Sequence, residues 1–198
     1  MINRLFPKTV AISHAVVKNV VKPGDMVIDA TAGNGYDTVF LAELVGPNGK
    51  VFSFDIQSEA IQNTRQKLIQ KELYDRVKLL HKGHERIGEE VPEGIKAVMF
   101  NLGYLPRGNH KIITKPETTI LALEKSIKIL AAGGIIAIVL YTGHPGGIEE
   151  SLQVERWVEK LEPKFFDVVK INYLNKPNNP PHFIGIQKLL LEDDKNED

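Results

Sequence analysis

The chain contains no cysteine. That excludes disulfides, thiolate metal sites and any mechanism that starts from a thiolate nucleophile, and it suits a reducing cytosol. Long apolar runs are also missing. The longest, Ile135–Tyr141, falls far short of the roughly 20 residues a membrane-spanning helix needs. Nothing near Met1 resembles the apolar h-region of a secretory signal, so a cytoplasmic protein with no membrane partner is expected. Net charge is absent too, with 25 Lys+Arg against 25 Asp+Glu. The balance is uneven, because the tail Glu192–Asp198 holds five acids and one lysine, a net of −4 that leaves +4 on the remaining residues. A modestly basic body permits nucleic-acid contact without requiring it; a solvated surface with a frayed acidic tail would look the same. Internal repeats are lacking, and the tail is the one low-complexity segment.

What is present is an alternation of strand-length apolar runs with helix-period segments. Strands are expected at Met26–Asp29, Val51–Asp55, Val77–His81, Ala97–Asn101, Ile135–Tyr141, Phe166–Asn172 and Phe183–Leu189. Helices are expected at Thr9–Val21, Tyr36–Val45, Glu59–Glu72, Pro116–Leu130 and Ile148–Leu161. Near-continuous apolar strands separated by helices specify an α/β fold with a mostly parallel sheet covered on both faces. Only "YLNKPNNPPH" separates the last two strands, too short for a parallel crossover, so the final strand should run reversed. One domain over residues 1–190 and a mobile acidic tail over 191–198 account for the length.

The stretch "VIDATAGNGYDT", Val27–Thr38, runs from an apolar strand through an acid and a glycine turn into a helix. The first strand-to-helix turn of such a sheet is where ligands bind. Gly33 and Gly35 allow a tight turn and close approach, and the helix that follows points free amides at the ligand. Asp55 ends the second strand 20 residues after Gly35, where a carboxylate can accept the hydroxyls of a ribose. A triphosphate would want a Gly-Lys-Ser/Thr ending, which is absent. A dinucleotide would want a third glycine where Thr38 stands. Asp29 would repel a pyrophosphate but suits an ammonium group. S-adenosylmethionine offers an ammonium, a sulfonium and a ribose diol without phosphate, and is the expected cofactor. Simple capping of the turn by Asp29 and of the next helix by Asp55 is the alternative.

These segments resemble the class I methyltransferases: "VIDATAGNG" their first motif, "VFSFDIQ" their second, and the reversed final strand their Rossmann-like fold. The resemblance implies that Thr31, Asn34, Asp37 and Thr38 line the methionine end of the cofactor. It also implies that Ile56, Gln57, His81, Gly83 and His84 lie near the adenine. A zinc role for His81 and His84 is poor without a nearby third ligand, and no metal is expected.

"NLGYLP", Asn101–Pro106, follows the fourth strand and resembles the Asn/Asp-Pro-Pro-Tyr/Phe motif of amino-group methyltransferases, with Leu102 and Gly103 in place of the prolines. An Asn101 side-chain oxygen can accept a hydrogen bond from an amine and aim its nitrogen at a methyl carbon. Tyr104 can stack on a flat base, and Leu105 completes the turn. The missing cysteine removes nucleophilic pyrimidine C5 methylation and radical methyl transfer, and Asn101 stands where many ribose O-methyltransferases keep a lysine and acid cluster, which leaves nitrogen as the expected acceptor.

Taken whole, the chain is similar to a small bacterial family long labelled rRNA methylases, of the MnmM type. The similarity rests on "DATAGNGYDT", "HKGHE", "NLGYLP", "YTGHPGG" and "NNPP". It implies methylation of the exocyclic amine of 5-aminomethyl-(2-thio)uridine at the tRNA wobble position, with the anticodon stem-loop as partner. An alkylamine must shed a proton first, and His144 and His182 are candidates to orient or accept it. Tyr141, Tyr173, Asn175, Asn178, Pro180 and Pro181 could meet the nucleotide, unless the last five only form a rigid connection. Arg107, His110, Lys111 and Lys115 could meet flanking phosphates. Other readings stay open: another RNA such as rRNA, a small amine, a non-catalytic cofactor-holding RNA-binding protein, and a homodimeric assembly. An NAD-dependent oxidoreductase loses on Thr38 and Asp29.

Overall fold

The central strands of the sheet alternate their side chains between two helical layers, and that period of two decides the architecture. The computed structural model describes residues 6–103, 105, 113–177 and 179–190. In chain order the elements are α1 (Thr9–Val20), β1 (Met26–Asp29), α2 (Tyr36–Val45), β2 (Lys50–Phe54), α3 (Ser58–Gln70) and β3 (Val77–Leu80). They continue with α4 (Ile87–Glu90), β4 (Ile95–Leu102), α5 (Pro116–Ile129), β5 (Leu130–Leu140), α6 (Gly147–Val158), β6 (Phe166–Ile171) and β7 (His182–Lys188). In β1, Val27 joins a core with Val17, Leu41 and Leu68 from α1, α2 and α3, while Ile28 joins one with Ile87, Leu123 and Val154 from α4, α5 and α6. Ala97 and Met99 of β4 face the first layer, Val98 and Phe100 the second. A strand buried on both faces has to be apolar throughout, which is the pattern of these strands.

The sheet order is β3-β2-β1-β4-β5-β7-β6. All neighbouring pairs are parallel except β5 with β7 and β6 with β7, so β7 alone runs reversed. The expected fold class is therefore the observed one. The order reverses between β1 and β4, which opens a crevice at the carboxyl ends of those two strands.

The elements lie close to their expected bounds, with two differences. Strand β5 starts at Leu130, not Ile135: the chain leaves α5 directly into the sheet, and a shift in the pairing with β4 absorbs the extra residues before Ile135. The short helix α4 and two single 3-10 turns, Tyr74–Arg76 and His84–Arg86, carry too little periodicity to be legible. Among the described residues no helix is long and apolar enough to cross a membrane. The expectations for Tyr104, Pro106, Arg107, His110, Lys111, Asn178 and the tail 191–198 lie outside the described residues.

Candidate active site

A cavity of about 1150 Å³ opens along the carboxyl ends of β2, β1 and β4, at the reversal of strand order. Its floor is the turn after β1. Gly33 and Gly35 both have positive φ, 52° and 75°. A Cβ on Gly35 would stand 2.9 Å from the Thr64 Cα, so the start of α2 can approach α3 only without a side chain there. The Gly33 amide donates to Asp55 Oδ2 at 2.9 Å, and the Gln57 amide donates to Asp55 Oδ1 at 2.8 Å. Asp55 also lines the cavity, where its carboxylate can accept a further hydrogen bond from a ligand. Burial holds its carboxyl above the ordinary range, against the pull of the Gln57 and Gly33 amides.

Ile56, Gln57, Gly83 and His84 line the same end. His84 is buried, and its Nδ1–H donates to the Ala30 carbonyl at 3.3 Å. Burial pushes its pKa down, so the ring is neutral and Nε2 is an acceptor, without a hydrogen-bond partner among the described residues. His81, expected beside it, is not in the cavity wall. It is exposed, with Nε2 donating to the Ile56 carbonyl at 2.9 Å, because it stands one residue beyond β3 and turns outward.

Asp29 corrects the expectation of an ammonium partner. It is fully buried beneath the turn and does not line the cavity. The Thr31 amide donates to Oδ1 at 3.1 Å and the Thr38 hydroxyl to Oδ2 at 2.5 Å. Thr38 is itself fully buried and within 2.9 Å of the Ser53 hydroxyl. Asp29 and Thr38 therefore brace the turn from below. Thr31, Asn34 and Asp37 do line the cavity, whereas Gly35 is packed behind it on Thr64.

Over β4 the wall is made by side chains from distant elements. The Asn101 amide donates to the Thr31 hydroxyl oxygen at 2.8 Å, which ties β4 to the turn after β1. Its side-chain Nδ2 donates to Asp37 Oδ2, and Asp37 Oδ1 accepts from His14 Nε2 at 2.6 Å. A carboxylate can only accept, so this contact fixes which end of the Asn101 amide is nitrogen. The other end, Oδ1, is a buried acceptor with no hydrogen-bond partner among the described residues. Gly103, Leu105, Thr114, Lys115 and Tyr141 complete this end. The Thr114 amide closes on the Gly103 carbonyl at 2.9 Å, and the Thr114 hydroxyl reaches Glu150 Oε2 at 2.6 Å.

Several expected acceptor-side residues stand elsewhere. Leu102 points into the core. His144 lies behind the wall, its Nε2 3.6 Å from where a Gly103 Cβ would be, and its Nδ1 3.0 Å from the Pro145 carbonyl. His182 is buried at the start of β7 between Ser151 and Glu155, each 3.2 Å from Nε2; burial and Lys170 lower its pKa. The connection before it folds back on the start of the chain. Tyr173 donates to the Pro7 carbonyl, Pro181 accepts from the Thr9 hydroxyl at 2.7 Å, and neither Asn175 nor Pro180 lines the cavity. Conversely, His14 and Glu150 went unanticipated. Nothing local marks them, since their partners are 23 and 36 residues away.

The family described as "Putative rRNA methylase" matches residues 51–187. A crystal structure described as that of a "putative rRNA-methylase" from Clostridium thermocellum is 47% identical, with a TM-score of 0.92, covering 94% of this chain and 100% of that one. A Streptococcus mutans protein described as "a putative methyltransferase" and crystallised in complex with SAH is 39% identical, with a TM-score of 0.84 and coverage of 96% and 100%. The Arabidopsis thaliana chloroplastic tRNA (mnm(5)s(2)U34)-methyltransferase is 42% identical over 183 residues, 87% of this chain and 67% of that protein. The residues at hand fit S-adenosylmethionine: a cavity-lining Asp55 carboxylate for the ribose, an acceptor on buried His84 without a partner among the described residues, and a positive-φ glycine turn beside them. On its sequence, its sheet order and that cavity, the chain belongs to the "Putative rRNA methylase" family and is a class I methyltransferase that uses S-adenosylmethionine.

Proposed function

We propose that the chain methylates the exocyclic amine of 5-aminomethyl-(2-thio)uridine at the wobble position of tRNA, giving 5-methylaminomethyl-(2-thio)uridine, and that it engages the anticodon stem-loop in the cytoplasm. The observation that carries this reading is Asn101 Oδ1, a buried acceptor left open beside the cavity while its amide nitrogen is held by Asp37. An open acceptor next to a methyl donor suits an N–H nucleophile. Supporting it is the 42% identity to a tRNA (mnm(5)s(2)U34)-methyltransferase.

When bound, the cofactor supplies an electrophilic methyl group. Asp55 and His84 would hold its ribose and adenine, and the Thr31–Gly35 turn would meet its amino-acid portion. Asn101 then orients the amine nitrogen, and most of its contribution is positioning. Tyr141 and Leu105 present apolar surface to the base, and Lys115 stands at the same end for the anionic backbone.

Purified protein should methylate tRNA carrying the aminomethyl group and leave unmodified tRNA and rRNA untouched. In cells lacking the protein, mass spectrometry of wobble nucleosides should show the unmethylated amine accumulating. Methylation of tRNA without that group would overturn the substrate assignment.

A further inference from the structure

The proposed substrate brings a problem that the cavity itself answers. An alkylamine has a pKa of roughly 10, so at pH 7 only about one molecule in a thousand is neutral and nucleophilic. Asp37 is 6% exposed, lines the cavity and touches Asn101, the residue that receives the amine. We propose that the Asp37 carboxylate takes the surplus proton from the incoming alkylammonium, with His14 as the positioning residue that holds that carboxylate; this rests on the substrate reading above.

The geometry supports it on three counts. Asp37 Oδ2 accepts from Asn101 and keeps a further lone pair beside it, so an ammonium on Asn101 Oδ1 has a neighbouring carboxylate. Oδ1 is fixed by His14 Nε2 at 2.6 Å, and the imidazole is itself fixed, stacked on Phe40 with centroids 3.9 Å apart and planes 3° apart. Behind Asp37 lies a second carboxylate. Burial first and the Asp37 charge second push Asp29 up to about 7, and of the two carboxylates Asp37 is the one that lines the cavity, where an incoming ammonium can reach it. Facing Asp37 from other elements are His14 on α1, Asp29 at the end of β1 and Tyr141 after β5, whose hydroxyl pKa is raised by burial and by Asp37.

The step balances. One N–H proton of the ammonium moves to Asp37 and its bonding pair stays on nitrogen. That pair forms the new N–C bond as the C–S bond breaks, with the departing pair left on sulfur. The product is a secondary ammonium, and Asp37 returns its proton to water when the product leaves.

The test is single-turnover transfer to aminomethyl-bearing tRNA at saturating cofactor, at pH 7 and pH 9.5, with cofactor affinity measured by calorimetry. D37N should be about 100-fold slower than wild type at pH 7, and about fivefold or less at pH 9.5, where much more amine is already neutral. Its cofactor affinity should stay within about threefold. His14→Ala should be about tenfold slower at pH 7 with the same alkaline recovery, and His14→Gln, which keeps an N–H donor, should be near wild type. A deficit equal at both pH values would mean Asp37 only orients Asn101, and would overturn the proposal. A tenfold or greater loss of cofactor affinity in D37N would assign Asp37 to the donor's ammonium and overturn it as well. Equal rates for both His14 variants and wild type would remove the positioning role. Wild type inactive on this tRNA would sink the substrate reading itself; active wild type with a pH-independent deficit sinks only the proton step.

Discussion

The two ends of the cavity are built in different ways. Over β1 and β2, the groups proposed to face the cofactor are held by neighbours in the turn: Asp55 is gripped by the Gly33 and Gln57 amides, and the turn by Gly33 and Gly35. Over β4 and β5, the side chain proposed to receive the amine is held from far away: Asn101 by Asp37, Asp37 by His14 of α1, and the closing Thr114 by Glu150 of α6. The cofactor end is local backbone geometry, so it needs glycines and an acid at set spacing. The acceptor end is tertiary, so it can change its substrate without disturbing the turn.

The sharpest way to break that contrast is N101A. It should lower methyl transfer by about 10²–10³-fold, the cost of removing one well-placed hydrogen-bonding group at a reacting centre. Cofactor affinity should stay within about threefold in calorimetry. Equal losses in both would mean the two ends are one site. Asp55→Ala is the converse. It should weaken cofactor binding by about 10–100-fold, as expected for losing charge-assisted hydrogen bonds. The rate at saturating cofactor should change little.

Gly35→Ala probes the turn as a structural element. A Cβ there would meet Thr64 Cα and Oγ1 at 2.9 Å, on a backbone with φ of 75°. Left-handed strain plus overpacking should cost about 2–3 kcal/mol, and a thermal melt should show the midpoint falling by several degrees.

This difference in construction also explains what the sequence discloses. The sheet and its reversed last strand follow from spacing and periodicity, and both stand as expected; the positions of the glycine turn and of Asp55 are legible too, but not the hydrogen bond from the Gly33 amide to Asp55. The acceptor end shows Asn101 through its motif, but not the groups that make it work. His14 lies on a helix whose sequence reads only as an amphipathic cover, and its tie to Asp37 exists only once α1 packs on α2. His182 shows the reverse error. Beside two prolines it reads as a site residue, yet strand pairing with β5 carries it into a buried contact with Ser151 and Glu155. Asp29 erred for a third reason: the charge argument for an ammonium partner is sound, but the last residue of a central strand points under the turn.

Asp29 joins the two ends, and its titration offers the finest test. Burial first, and the Asp37 charge second, raise its pKa from 3.8 to about 7 in the folded protein. Unfolded, it releases its proton near 3.8, so between about pH 4 and 7 the folded state binds more protons than the unfolded state. Stability contributed by this group must therefore fall as pH rises through that window and level off above 7. One proton of difference corresponds to about 1.4 kcal/mol per pH unit. D29N cannot titrate, and its amide oxygen can still accept from the Thr31 amide while the Thr38 hydroxyl turns to Ser53. Urea midpoints at pH 5, 6, 7 and 8.5 should show the variant gaining on wild type by about 1 kcal/mol per unit up to pH 7 and no further. Cofactor affinity should stay within about threefold, because Asp29 does not line the cavity. A pH-independent gap would mean that Asp29 stays ionised beneath the turn and that Asp37 carries its charge beside a second one.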